Sequence, residues 1–286
     1  MLKLQTPVNA GKSPVEISYK DKITVIGSCF ADNVGKKMEE AGFDVCINPF
    51  GTLYNPQSIA NSLERLVSCR EFTAADCQPM GSGAELICSF SHHTSFARRS
   101  EEEFLENANA RLREASSFYR TSTKVIVTLG TSWCYRYIAG DMVVSNCLKR
   151  NAREFSRELM SPETTVDVLS KAIEASDAVF FLTVSPIRHL KDGAHGNQLS
   201  KAALLLAEEE LCRRFPGRCI YFPSYEIMLD ELRDYRFYAE DMVHPSDQAV
   251  GYIWERFCDF ALAEDQRPIL AAREKEFRQS RHRPMH

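Results

Sequence analysis

Apolar runs long enough to cross a bilayer are missing from this chain. A span needs about 18 or more consecutive apolar residues, and stretches such as 178–184 (AVFFLTV) end at the length of a buried strand. The opening Met1-Leu2-Lys3-Leu4-Gln5-Thr6-Pro7 lacks the apolar core of a signal peptide, so a cytoplasmic protein without membrane partners is expected. An excess of one charge is lacking too. A net charge of −4 and a pI near 6.0 give no electrostatic case for nucleic acid or an anionic surface. No CxxC pair occurs, which argues against a zinc site. The cysteines number 10, an even count, yet the chain is long enough for a core of its own and shows no export signal. Cys46, Cys88 and Cys219 lie in apolar strand-like runs, where a reduced thiol packs as a small hydrophobe. Internal repeats and low-complexity tracts are also absent, which excludes solenoid and disordered architectures.

What is present is an ordinary globular composition, 44% hydrophobic and 26% charged over 286 residues. Apolar β-rich runs alternate with amphipathic stretches. Strands are expected at 22–26, 43–47, 124–129, 178–184 and 219–222. Helices are expected at 32–41, 56–67, 101–119, 197–215 and 245–263. This alternation predicts a single α/β domain over 1–286, a three-layer α/β/α sandwich on a parallel sheet of about five strands. The segment 134–147 has two short β runs around Ala139-Gly140-Asp141 and reads as an inserted hairpin. Residues 68–100 read as an irregular excursion over the active face, and 267–286 as a basic tail.

Two segments carry candidate chemistry. Ile26-Gly27-Ser28-Cys29-Phe30 closes the first strand and opens the first helix. Open α/β sheets place their functional crevice at such strand ends. Free N–H groups of a helix start can also hold an oxyanion there. Ser28 is therefore a candidate nucleophile. Serine is equally a favoured helix cap, which is the plainer alternative, and Cys29 is a rival nucleophile. The second segment is Asp241-Met242-Val243-His244-Pro245. One turn can bring the carboxylate to Nδ1 of the imidazole, leaving Nε2 free to take a serine proton. The alternative is a surface loop capped by Ser246 or Asp247.

Gly27-Ser28-Cys29-Phe30-Ala31 is the motif after which the GSCFA family is named, and that family resembles the SGNH hydrolases. Asn48-Pro49-Phe50-Gly51-Thr52, Thr128-Leu129-Gly130-Thr131-Ser132-Trp133, 184–189 with Asp192-Gly193, and 232–244 resemble further family segments. The likeness spans roughly residues 20–260. It implies a flavodoxin-like sheet and a Ser28–His244–Asp241 triad, with no metal or organic cofactor. It also implies oxyanion donors at Ser28 and Gly51. The Asn of the SGNH third block is replaced by Gly130-Thr131-Ser132-Trp133, so Ser132 or Thr131 would donate a hydroxyl instead.

An esterase or deacylase working through an acyl-serine is the expected function, acting on a small-molecule or carbohydrate acyl ester by analogy with the superfamily. Acyl transfer from the same triad and a non-catalytic binding module are the alternatives. His93 and Arg188 are candidate substrate contacts, Arg188 for a carboxylate or phosphate. For Arg188 and His189 the alternative is an ion pair with Asp192 or Asp234. Asn197 and Lys201 read as capping and surface groups. Trp133 and Tyr135 read as subsite wall or core.

Overall fold

The structure is a computed structural model that describes residues 5–81, 83 and 85–281, with only the backbone of Arg281. The end of the basic tail, 282–286, lies outside the described residues.

Ten strands occur among the described residues. They are β1 (Lys22–Gly27), β2 (Asp44–Ile47), β3 (Gln78–Met80), β4 (Leu86–Cys88), β5 (Lys124–Leu129), β6 (Trp133–Tyr137), β7 (Met142–Val144), β8 (Phe155–Leu159), β9 (Val179–Val184) and β10 (Cys219–Tyr221). Five form the main sheet in the order β10-β9-β5-β1-β2, and every neighbouring pair is parallel. Counted in chain order this is 2-1-3-4-5, the flavodoxin-like arrangement, whose direction reverses between β1 and β5. Ligands in such sheets bind at that reversal, beyond the carboxyl ends of the strands. The central strands are apolar on both faces, with Ile23, Val25, Val125 and Phe180 wholly buried, because helices cover both sides.

Two apolar cores flank the sheet. One packs α1 (Cys29–Glu40) and α6 (Asp247–Ala261) through Phe30, Met38, Ile253 and Phe257. The other packs α2 (Pro56–Ser68), α3 (Glu101–Tyr119), α4 (Pro162–Glu174) and α5 (Gly193–Arg214) through Ile59, Phe104, Leu169 and Leu204. A last helix, α7 (Arg267–Arg281), covers most of the expected basic tail. Sequence reasoning did not anticipate α4. Its start is well marked, with Ser161 accepting the Thr164 N–H and Pro162 in the first turn.

The inserted hairpin is present as β6 and β7, and β8 extends it to a three-stranded antiparallel sheet in the order β7-β6-β8. The excursion at 68–100 is more ordered than expected. It contains the β3–β4 hairpin, and Ile87 and Arg98 bond each other through both backbone groups. All ten cysteines are unpaired. Among the described residues no helix is long and apolar enough to cross a membrane.

Candidate active site

The first element of the site is the turn between β1 and α1. Gly27 has φ +140, and a Cβ there would lie 2.2 Å from the carbonyl oxygen of Thr128, so only glycine fits. Its N–H donates to Asn48 Oδ1 at 2.8 Å, and Asn48 Nδ2 donates to Asp32 Oδ1 at 2.6 Å. Asn48 thereby ties the end of β1 to the first turn of α1, from a backbone with φ 39. Serine follows as the N-cap, its Oγ accepting the Phe30 N–H at 3.2 Å. Ser28 Oγ also lies 3.1 Å from Thr128 Oγ1, and Ser28 N–H is shared between Thr128 O and Thr128 Oγ1. Ser28 is wholly buried. The cap alternative thus describes its present bonds, and Thr128 is a partner that local sequence did not reveal.

Cys29 Sγ lies 3.3 Å from Tyr54 Oη, and burial pushes its thiol above the usual range. That disfavours the thiolate a rival nucleophile needs.

The second element is the turn before α6. Asp241 Oδ2 meets His244 Nδ1 at 2.6 Å, and Asp241 Oδ1 accepts the N–H groups of Val243 and His244 at 2.9 Å each. Those two backbone donors, and then the imidazole, hold the carboxyl down at about 2. Met242 supplies the left-handed residue, φ 57, that the tight loop requires. The loop is docked on the end of β9, where Arg188 N–H and Arg188 Nη1 donate to Val243 O and Met242 O at 3.1 Å. His244 remains partly exposed, and Ser246 caps α6. Among the described residues no hydrogen bond joins His244 to Ser28.

Beside Ser28 sits Gly130, after β5. A Cβ on it would lie 3.3 Å from Ser28 Cβ, 3.2 Å from His189 Nε2 and 3.1 Å from Tyr54 O. His189 Nε2 is buried with no hydrogen-bond partner. Burial, then Lys201, His244 and Arg157, press this imidazole down to about 3, so it is neutral near pH 7. A neutral imidazole beside a serine is a hydrogen-bonding group in reserve.

The other sequence candidates separate. Gly51 (φ +80) donates its N–H to Asn48 O at 2.8 Å, and a Cβ there would fall 2.4 Å from His93 Cβ. Its lack of a side chain therefore serves the packing of His93. Thr131 and Ser132 turn to α5. The Thr131 hydroxyl is 2.8 Å from Ser200 Oγ, Ser132 N–H donates to Ser200 Oγ at 2.8 Å, and Ser132 Oγ donates to Ser200 O at 3.3 Å. His93 caps a short turn through Nδ1, accepting the Ser95 N–H. His92 is buried among Phe50, Phe72, Phe96 and Phe104, with Nδ1 2.6 Å from Ser89 Oγ.

Two readings need correction. Asp192 pairs with Arg157 and Asp234 with Arg236, so neither forms the alternative ion pair with Arg188 or His189. Asn197 and Lys201 are buried rather than surface groups. Asn197 Oδ1 accepts the His189 N–H at 2.9 Å, and Lys201 Nζ donates to Gly130 O at 2.6 Å and Ser185 O at 2.7 Å.

The fold and these residues define a flavodoxin-like α/β sandwich with a serine at the reversal of its strand order and an Asp–His pair docked at the same sheet edge. The sequence pattern of the GSCFA family matches residues 22–257, and the chain belongs to that family. No curated protein matches the chain.

Proposed function

We propose that this protein cleaves an ester by nucleophilic attack of Ser28, with His244 as general base and Asp241 as its orienting partner. The observation that carries the reading is the assembled Asp241–His244 pair: a carboxylate with three hydrogen bonds fixes Nδ1 as the protonated nitrogen and leaves Nε2 to accept a proton. In the reaction His244 Nε2 takes the Ser28 proton as Oγ attacks the carbonyl carbon. The tetrahedral oxyanion then collapses and expels the alcohol, which leaves with that proton, and water resolves the acyl-serine by the same route. Acetylated carbohydrate or another small acyl ester is the substrate class. Ser28 and Gly51 N–H are the oxyanion donors in this scheme, joined by hydroxyls of Thr131 or Ser132. Substrate entry must draw these groups from their internal partners and bring His244 to Ser28.

A binding module is the second reading, favoured by the hold of Thr128 on both the N–H and the hydroxyl of Ser28. A fluorophosphonate probe separates the two. Covalent labelling of the wild type that is lost in Ser28→Ala and strongly slowed in His244→Ala supports the hydrolase. A folded wild type that resists the probe supports the binding module.

A further inference from the structure

Beside Gly130 opens a cavity of about 550 Å3, bounded by the inserted sheet, Tyr54 and the segment after β9. Its walls carry Arg150, Arg157, Arg188 and Lys191 and, among the described residues, not one Asp or Glu. Arg150 and Arg157 have their charges met by Glu154 and Asp192, which stand outside the lining. Arg188 and Lys191 are joined to no carboxylate among the described residues. Their heads rest over aromatic rings instead, Arg188 over Tyr238 at 5.6 Å and Lys191 over Tyr135 at 4.7 Å. Two cations without counter-ions, in a lining with no acid, set a positive potential that an anion relieves.

The apolar walls are flat. Trp133 and Tyr135 belong to the inserted sheet, and Tyr54 faces His189 edge-on with ring centroids 5.7 Å apart. Arg157 lies over the Trp133 and Tyr135 rings at 5.5 and 4.3 Å, so a ligand ring would stack on the faces that these cations leave open. His189 lines the cavity, and its orphaned Nε2 lies 3.2 Å from the position a Cβ on Gly130 would take, which is itself 3.3 Å from Ser28 Cβ. A buried polar atom without a partner carries a cost that a ligand's polar group would remove.

We infer that this cavity takes an anionic, ring-containing ester, with Arg188 and Lys191 on the negative group, the aromatic wall on the ring, and His189 Nε2 on a polar atom next to the scissile bond. The inference rests on the proposed hydrolase for the identity of the ligand as substrate, but binding is measured apart from turnover.

The test uses Ser28→Ala, which cannot turn over, and two probes alike in acyl group and ring: 4-carboxyphenyl acetate and its neutral methyl ester, 4-(methoxycarbonyl)phenyl acetate. Calorimetric titration at low salt is expected to show the charged probe binding about tenfold tighter or more, the scale of one charge-assisted contact. The further change R188E/K191E is expected to erase or invert that preference. Equal binding of the two probes, or a preference untouched by charge reversal, overturns the inference. If the reversed variant does not fold, as judged by circular dichroism, R188Q/K191Q is titrated instead under the same criterion. Fluorophosphonate labelling of the wild type is scored separately. Labelling without a charge preference sinks the cavity assignment alone, and a charge preference without labelling sinks the hydrolase alone.

Discussion

A methyl group at position 130 would lie 3.3 Å from Ser28 Cβ and 3.2 Å from the unpaired Nε2 of His189. The backbone of Gly130 is not in the left-handed region, so alanine is conformationally acceptable there, and its effect is steric. Gly130→Ala is expected to leave the protein folded at a cost of about 1–3 kcal/mol for overpacking. It should slow fluorophosphonate labelling by about 100-fold, the usual result of a 1 Å misplacement at a reacting centre. Labelling at the wild-type rate would mean that the probe does not reach Ser28 past Gly130. At this scale the sequence revealed residues that act with near neighbours. Asp241 and His244 are three apart and need one turn, and Gly27 and Ser28 are adjacent. It hid those whose roles depend on distant partners. Thr128 reaches Ser28 across 100 positions, and Asn48 reaches Gly27 across 21. His189 could be placed only when its backbone was seen to bond Asn197.

Among the elements, α5 does more than cover the sheet. Its Lys201 ammonium is wholly enclosed and donates to carbonyls at the ends of β5 and β9, so one side chain fastens two strand termini beneath the site. Burial draws this amine down to about 7, with Glu208 on the same helix opposing the shift. Lys201→Met would leave Gly130 O and Ser185 O without donors. A net loss of about 1–3 kcal/mol is expected, since the orphaned carbonyls outweigh the relief of an enclosed charge. Thermal denaturation of the variant checks it, and an unchanged or raised midpoint would refute the fastening role. Lysine at this place misled sequence reasoning, because lysine is almost never fully buried. Helix α4 was missed for a different reason. It follows the inserted sheet directly, so the alternation of strand and helix that announced the other elements is interrupted there.

For the molecule as a whole, topology was the most legible property. Five apolar runs separated by amphipathic stretches leave few arrangements other than a covered parallel sheet, and right-handed crossovers restrict them further. Acid stability was not legible, since it depends on which histidines are enclosed. His92 is held down at about 3 by burial and then by Arg65, and His189 at about 3 by burial and neighbouring cations. Both stay neutral when folded, whereas an unfolded histidine takes up a proton near pH 6.5. The unfolded chain therefore binds more protons below that pH. The share of stability set by these two histidines is complete above about pH 6.5 and is lost as pH falls toward 3, at up to ~1.4 kcal/mol per pH unit for each. His92→Leu is expected to flatten the curve of urea midpoint against pH by one histidine's share between pH 6 and 4. Parallel curves for variant and wild type would contradict it.

The division of labour around the cavity has an evolutionary corollary. The serine and the Asp–His turn are rooted in the sandwich, whereas one side of the cavity, with Trp133, Tyr135 and Arg157, belongs to the segment inserted after β5, and the other, with Arg188, His189 and Lys191, follows β9. Exchange of the inserted segment would reshape the aromatic side of the cavity and leave Arg188 and Lys191 in place, so the fit to a ring and the preference for charge can drift independently in descendants of this chain.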